Sequence, residues 1–292
     1  MEQVYRSRLN ALPIDLKTDI ASVVYQWGLS ATNRRNLVME AFNDYKIPVT
    51  ELGTGTNRLC MKFRDYALKI ALDDEGIDDN RQEWVMSDML APDVAETMEI
   101  SGDIVKKDDD TFEITGGHLM VAAYVPALAN WGEMLSEQRK IEKILKKWSK
   151  ICLLGDVGVT NKNYANWGKI RDQVKCIDYA YVFPMGMDLF QCTCGCPDLE
   201  IDSSFSKYIC KYCKRSISDS ELRARISNEK RHEFFSKVKG LKMSKEFEKF
   251  DVDMKYLHIE RPREADVMAL NNHNSELKDN VQRQQVPDVD GK

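Results

Sequence analysis

Five of the eight cysteines in this chain lie between Cys192 and Cys213, and no other sequence feature restricts the local fold so strongly. The segments CTCGC (192–196) and CKYC (210–213) are thirteen residues apart, and strand-like residues separate them. Two such thiol pairs are typical of a zinc ribbon, in which four thiolates surround Zn²⁺ at ~2.3 Å. Disulfides or a redox pair are the alternatives. Because the first segment has three thiols for two positions, the pairs Cys192/Cys194, Cys192/Cys196 and Cys194/Cys196 all remain open.

The composition is that of a globular protein. The chain has 292 residues, of which 43% are hydrophobic and 30% charged, and its net charge is −5. This charge argues against a nucleic-acid protein held by overall charge. Residues 1–6 form no apolar signal region, and the longest weakly polar stretch, 118–131, is too short to cross ~30 Å of hydrocarbon. We therefore expect a soluble cytoplasmic protein, in which clustered cysteines bind metal more readily than they form disulfides.

Hydrophobic periodicity divides the chain into helical and strand-rich parts. Helical spacing predicts an N-terminal extension at 1–46, and alternation at 59–63 and 66–72 predicts strands of a small antiparallel sheet. A helix is predicted to begin at Asp78-Asp79-Asn80, and a hairpin is predicted around 108–110. The expected domains are a first lobe at 47–126, a second lobe at 127–265 that contains the ribbon at 188–218, and a disordered tail at 266–292.

A glycine-containing loop connects the first two predicted strands. Gly53 and Gly55 lie in ELGTGTNR (51–58), among small hydroxyl residues. A missing Cβ lets backbone N–H groups close over phosphate oxygens, although a tight hairpin without a ligand has the same pattern. Arg58 replaces the third glycine of the kinase motif GxGxxG, so the match is partial.

A lysine on the following strand strengthens the phosphate-site interpretation. Period-two alternation places Lys69 on the same face as Ala67 and Ala71, whose small side chains leave room for an adenine. Glu83, in the first turns of the next predicted helix, is expected to pair with Lys69 and hold its ammonium against the α- and β-phosphates. A solvated lysine and a carboxylate near a helix N-terminus are the alternatives.

Three polar residues further along the chain would complete a phosphoryl-transfer site. Asp156 lies in a turn-rich loop, and Asp178 leaves an apolar strand twelve residues after Asn166. One carboxylate can orient a hydroxyl, while an amide oxygen and a second carboxylate can bind Mg²⁺. Asn166 is preferred for its distance from Asp178, and Asn161 and Asn163 remain alternatives.

Together these motifs resemble those of protein-kinase-like proteins encoded by bacteriophages. The resemblance covers about residues 49–226 and implies an α+β, bilobal protein-kinase-like fold, with a hinge strand at 120–126. It also implies that the zinc ribbon replaces the activation segment, and the N-terminal helical extension predicted from the spacing would precede this fold. The similar segments are ELGTGTNR (51–58), YALKIALDDEG (66–76), DVGVTNKNYANWG (156–168) and IDYAY (177–181).

The resemblance also implies a role for each group. Asp156 would be the catalytic base or hydroxyl-orienting residue, with Lys69 on the phosphates and Glu83 as the partner of Lys69. Asn166 and Asp178 would hold magnesium. The implied cofactor-binding residues are Gly53, Thr54, Gly55, Asn57, Ala67, Lys69, Ala123, Val125, Asn166 and Asp178, and four of Cys192, Cys194, Cys196, Cys210 and Cys213 would bind zinc.

The chain departs from the family pattern at several points. Leu154-Gly155 replace His-Arg, Asp178-Tyr179-Ala180 replace Asp-Phe-Gly, and no Ala-Pro-Glu segment follows. The expected function is ATP- and Mg²⁺-dependent transfer of the γ-phosphoryl group to a protein or small-molecule hydroxyl. The alternative is a pseudokinase scaffold of a phage, whose ribbon binds protein or nucleic acid through a basic rim. The rim residues are Lys207, Lys211, Lys214 and Arg215.

The expected partners are a nucleotide and an unidentified acceptor, with no membrane and no nucleic acid in the leading interpretation. The expected location is the host cytoplasm during infection, or the virion. No oligomeric state follows from the sequence.

Overall fold

The computed structural model describes residues 8–221, except 103, 107–111, 115, 185–191, 197–198, 204, 206 and 219–220. The predicted turn at 108–110, the part of the predicted second lobe at 222–265 and the predicted tail at 266–292 lie outside the described residues.

Two helices, α1 (Ile14–Val24) and α2 (Ala31–Asp44), follow a short 3₁₀ turn at Leu9–Ala11. Ser30 caps the N-terminus of α2, because its side-chain oxygen accepts a hydrogen bond from the Asn33 backbone N–H at 3.2 Å. Apolar residues at helical spacing, including Leu16 and Ile20, are fully buried and belong to the same core as the neighbouring sheet.

The largest sheet has five antiparallel strands. They are β1 (Thr50–Thr54), β2 (Arg58–Phe63), β3 (Tyr66–Ala71), β4 (Thr97–Ile100) and, after the separate two-stranded pair β5 (Ile104–Lys106) and β6 (Phe112–Ile114), β7 (Leu119–Ala123). The strand order is β1-β2-β3-β7-β4. On β2 the apolar residues Leu59, Met61 and Phe63 are buried against the N-terminal helices. The opposite face of β2 and β3 therefore carries Lys69 and its neighbours.

Helix α3 (Asp74–Leu90) begins earlier than the sequence predicts. The Asp73 carboxylate accepts a hydrogen bond from the Gly76 N–H at 2.8 Å and caps the helix. The prediction of a start at Asp78 is therefore wrong, and Glu83 lies in the third turn of the helix. A Cβ on Gly76 would lie 2.1 Å from the Asn57 carbonyl oxygen, so only glycine permits this close contact between helix and loop.

The second half contains α4 (Trp131–Trp148), β8 (Cys152–Leu154), β9 (Trp167–Ile170), β10 (Gln173–Cys176) and β11 (Val182–Pro184). Asn130 caps α4 by accepting a hydrogen bond from the Glu133 N–H at 3.0 Å. Strand β9 pairs with β10, and β8 pairs with β11. Trp148 and Trp167 are fully buried and stack with ring centroids 6.0 Å apart at the centre of this core.

A three-stranded sheet carries the cysteine cluster. Its strands are β12 (Leu199–Ile201), β13 (Lys207–Cys210) and β14 (Ser216–Ser218), in that order. The chain is thus a mixed α+β protein with small antiparallel sheets and a cysteine cluster, as the coarse part of the fold prediction stated. No helix in the described part of the chain is long and apolar enough to cross a membrane.

Candidate functional site

A cavity of about 480 Å³ lies between the five-stranded sheet and the segment 165–178, and its volume is within the range of small-molecule sites. The sheet contributes the end of β1 and the loop after it, β2, β3, and the end of β7 with the residues that follow it. The other wall comes from the loop after β8 and the two residues that follow β10. The described lining residues are Leu52, Gly53, Thr54, Gly55, Cys60, Ala67, Lys69, Ala95, Ala122–Ala127, Ala165, Asn166, Ile177 and Asp178.

Small residues leave the sheet side of the cavity open. Ala67 on β3 pairs in register with Ala122 on β7, and both line the cavity beside the backbone of Ala123 and Val125. The end of β1 carries Gly53, where an added Cβ would meet nothing within 4 Å. Methyl groups and open backbone therefore line a slot that could hold a flat ring.

Asn57 does not reach the cavity. Its side-chain amide donates to the Glu75 carboxylate at 3.0 Å, which ties the loop to the first turn of α3. Among the sequence-predicted nucleotide-binding residues of this loop, the structure places Gly53, Thr54 and Gly55 in the cavity wall, and it places Asn57 outside.

Lys69 forms a buried ion pair with Glu83. Its ammonium donates to Glu83 Oε2 and also to the Ile177 carbonyl oxygen at 2.6 Å. Lys69 is only 5% exposed and Glu83 is fully buried, so the pair is held in one geometry. The ammonium thereby links β3, α3 and the residue immediately before Asp178.

Arg58 joins this pair to Asp178, a role that sequence reasoning missed. The Arg58 guanidinium donates to Glu83 Oε1 at 2.8 Å and to Asp178 Oδ1 at 2.7 Å. Arg58 opens β2, two residues before Cys60, which pairs in register with Lys69. Period-two alternation therefore places Arg58 on the face of Lys69, and this was the signal that could have indicated its position.

The two carboxyl groups of this cluster respond differently to their surroundings. Burial raises the pKa of Glu83, and the opposing charges of Arg58 and Lys69 do not cancel this effect. Loss of hydration also acts to raise the pKa of Asp178, but the Arg58 guanidinium and then the Lys69 ammonium outweigh it and hold that pKa below its usual range. Asp178 is thus an anion at the cavity wall, with 41% of its side chain exposed.

Asn166 and Asp156 lie next to each other, and Asn166 forms part of the cavity wall. The Asn166 side-chain amide donates to the Asp156 carbonyl oxygen at 2.8 Å, so its N–H₂ group is engaged by protein. Asn166 lines the cavity with Asp178, whereas Asn163 is buried and donates to the Gly158 carbonyl, and Asn161 is exposed. Asp156 is half-buried and is not among the described lining residues. Of the three asparagines considered, Asn166 alone faces this cavity in the described chain.

The cysteine cluster forms a second candidate site. The sulfur atoms of Cys192, Cys194, Cys210 and Cys213 all lie within 4.8 Å of one another. Two of these separations are 3.5 Å and 3.6 Å, close to the roughly 3.8 Å edge of a tetrahedron with ~2.3 Å metal–sulfur bonds. The four thiols could hold a metal ion and are compatible with zinc. Cys196 lies outside this group.

Backbone groups at the second thiol pair favour the thiolate form. The Cys213 N–H donates to the Cys210 sulfur at 3.5 Å, and this contact, with a further backbone hydrogen bond from Tyr212, lowers the pKa of Cys210 to about 6. A thiolate is the form that binds metal. The four basic residues predicted for the rim, Lys207, Lys211, Lys214 and Arg215, are all exposed.

Comparison with known proteins identifies no family. No family model matches the chain, and no curated protein is significantly similar to it. The function is therefore inferred from the geometry of the two sites.

Proposed function

We propose that this chain is an ATP- and Mg²⁺-dependent phosphotransferase with a bilobal protein-kinase-like fold, of the type that bacteriophages encode. The observation that carries the proposal is that Lys69, Asn166 and Asp178 line one cavity together with the Gly53–Gly55 loop. A nucleoside triphosphate requires a cation beside its phosphates, oxygen ligands for its metal ion and open backbone around its phosphate oxygens.

The nucleotide would occupy the cavity with its base in the alanine-lined slot. Lys69, fixed by Glu83 and the Ile177 carbonyl, would place its ammonium beside the phosphates. The Gly55 N–H is engaged by the Arg58 carbonyl oxygen, so the phosphate oxygens would lie against the open backbone at 53–54. Asp156, held beside Asn166, would orient the acceptor hydroxyl of a protein or small molecule.

The residues at the cavity wall fit a magnesium ion. Asp178 exposes part of its carboxylate there, and Asn166 engages its amide N–H₂ group with Asp156, which leaves its amide oxygen as the acceptor for a cation. Bound magnesium would neutralise phosphate charge during transfer. The ribbon would hold zinc in a structural role at the position of an activation segment.

The proposal is tested by transfer of label from γ-labelled ATP to proteins of a host extract in the presence of Mg²⁺. We expect Asp156→Ala to lower the transfer rate by roughly 10²- to 10⁴-fold. Asp178→Asn is expected to lower it by at least about a hundredfold. The matched control is Asp172→Asn, the same change at an exposed position in the β9–β10 turn, which should leave the rate unchanged. Equal rates for the wild type and all three variants would remove the enzyme proposal.

A second candidate function is a pseudokinase scaffold that binds nucleotide without turnover. The bond between Arg58 and Asp178 favours it, because a proposed metal ligand is already engaged by a protein cation. Nucleotide would then raise the melting temperature without Mg²⁺, and no labelled product would form. Detection of transfer that depends on Asp156 would exclude this candidate.

A further inference from the structure

Arg58 holds a position between the phosphate loop and the cavity wall that the proposed function does not by itself explain. Its carbonyl oxygen accepts a hydrogen bond from the Gly55 N–H at 2.8 Å, so its backbone anchors the glycine loop. Its side chain crosses to Asp178, 120 residues further along the chain. One residue therefore connects the loop proposed to cover the phosphates with the carboxylate proposed to face them.

Each nitrogen of the guanidinium faces a protein group. Besides its bonds to Glu83 and Asp178, its Nη1 atom lies 3.4 Å from the Asn80 side-chain oxygen, and its Nε atom lies 3.8 Å from Asp79 Oδ2. Arg58 is only 6% exposed and is not among the described residues that line the cavity. It consequently acts on a ligand through Asp178 and not by direct contact.

The charges of this cluster nearly balance without a metal. The cations Arg58 and Lys69 face the anions Glu83 and Asp178, and Asp79, whose Oδ2 atom lies 3.8 Å from Arg58 Nε, adds one excess negative charge. An unpaired carboxylate at the position of Asp178 would repel a triphosphate unless a divalent cation lay between them. Because the Arg58 guanidinium is bonded to Asp178 Oδ1, it already cancels much of the repulsion between this carboxylate and a triphosphate.

We propose that Arg58 is a positioning residue that neutralises Asp178 in place of one divalent cation, so that the cavity retains a nucleoside triphosphate with little dependence on metal. This inference rests on the proposed nucleotide site. The Arg58 guanidinium fixes the Asp178 carboxylate, and Lys69 then supplies the charge that meets the phosphates. Replacing Arg58 by a neutral residue leaves Asp178 as an uncompensated anion and makes nucleotide binding depend on added metal.

The test measures the Kd of a non-hydrolysable ATP analogue by calorimetry, with and without added MgCl₂. A soluble chelator would compete for the metal of the cysteine cluster, so the buffer is freed of divalent cations on a chelating resin and zinc-loaded protein is used. We expect the two Kd values of the wild type to agree within about threefold. In Arg58→Gln the Kd without Mg²⁺ is expected to be at least about tenfold weaker than the Kd with Mg²⁺. Arg58→Lys keeps the charge and is the matched control, expected to behave as the wild type does.

The outcomes separate this inference from the proposed function. A wild-type Kd that weakens tenfold or more without Mg²⁺ overturns the role of Arg58 but leaves the nucleotide site in place. If the two Kd values of Arg58→Gln also agree within about threefold, the proposed role of Arg58 is overturned as well. Absence of nucleotide binding in both buffers contradicts the proposed function itself. If Arg58→Gln does not fold, which the loss of a buried ion-pair partner could cause, Asp178→Asn decides the question. Because this change removes the anion that Arg58 is proposed to neutralise, its Kd without Mg²⁺ should be no weaker than that of the wild type, and a weaker Kd overturns the inference.

Discussion

The five-stranded sheet and the cysteine-bearing sheet are both small and antiparallel, but different forces hold them together. The first buries a continuous apolar face that includes Leu59, Met61 and Leu68 against α1 and α2. Among its described residues, the second buries only Leu199, Tyr208 and Ile217 apart from its thiols. Apolar burial stabilises the first sheet at ~25 cal/mol per Å². The second sheet contributes few residues to the second core, so we expect it to depend on a metal held by its four thiols.

The largest effect should come from removing one thiol of the cluster. We expect Cys210→Ser to abolish stoichiometric zinc binding, because structural sites of this type contribute about 10–16 kcal/mol of apparent binding free energy to folding. Amide hydrogen exchange should then become fast in β12–β14 and stay slow in β2 and β3. Metal content by mass spectrometry and exchange rates measure the two effects.

The matched control for this prediction is Cys196→Ser, which changes a thiol outside the group of four. It should retain one zinc ion per chain. Stoichiometric zinc in Cys210→Ser, or slow exchange in β12–β14 without metal, would show that the second sheet does not depend on its thiols.

The next effect tests the apolar sheet. Met61 is fully buried in the core shared with α1 and α2, so Met61→Ala should lower the free energy of unfolding by roughly 2–5 kcal/mol. Urea denaturation measures the free energy of unfolding. The zinc content, measured by mass spectrometry, should not change. Lys62→Ala, on the opposite face of β2, should cost no more than about 1 kcal/mol through loss of its contact with the Tyr124 ring. Equal costs for both variants would contradict the assignment of the core to the Met61 face.

The difference between the sheets also explains what the sequence could predict. Strand alternation in β2 and β3 predicted the first sheet, because one face of each strand must enter the core. Thiol spacing predicted a metal cluster but not which of the first three cysteines contribute, since that choice depends on the direction of each side chain in the folded turn. The cluster of Cys192, Cys194, Cys210 and Cys213 became evident only from the structure.

The start of α3 and the partner of Arg58 could not be predicted from the sequence. More than one aspartate could cap the helix, and the partner of Arg58 lies far away along the chain. Aspartate is a helix-capping residue type at both positions 73 and 78, and in the structure the Asp73 carboxylate accepts the Gly76 N–H, so that α3 starts at Asp74. Arg58 follows the alternation of its strand, but its bond to Asp178 links residues 120 positions apart. No local pattern carries that information.

A smaller effect is expected where the cysteine-bearing sheet contacts the second core. The buried Tyr208 hydroxyl accepts a hydrogen bond from the Leu154 N–H and donates to the Leu154 carbonyl oxygen at 3.2 Å. Tyr208→Phe keeps the ring but leaves these buried backbone groups without that hydroxyl, at a cost of about 1–3 kcal/mol. Zinc should be retained, while the Leu154 amide should exchange faster. This would show that the sheet is also tied to the loop that carries Asp156.

The control for this prediction is the same substitution at an exposed tyrosine of the same sheet region. Tyr212 is 80% exposed, so Tyr212→Phe should change neither stability nor exchange. Loss of zinc in Tyr208→Phe would mean instead that the metal site needs this contact to form.

The smallest effect belongs to the first sheet and depends on pH. His118 precedes β7, and its Nε2 atom lies 3.0 Å from the Tyr25 hydroxyl. Burial, with a smaller contribution from Arg81, lowers the pKa of His118 from 6.5 to about 4. Between these values the unfolded chain binds a proton that the folded chain does not, so this contribution to stability is present above pH 6.5 and is lost as the pH falls towards 4.

This loss is at most about 2 kcal/mol between about pH 7 and about pH 5, since one unit of pKa corresponds to 1.36 kcal/mol. Urea denaturation at the two pH values should show a smaller decrease in stability for His118→Gln than for the wild type, because glutamine does not titrate. Identical decreases would mean that His118 is protonated as readily in the folded chain as in the unfolded one, and that burial beside Tyr25 does not hold it neutral.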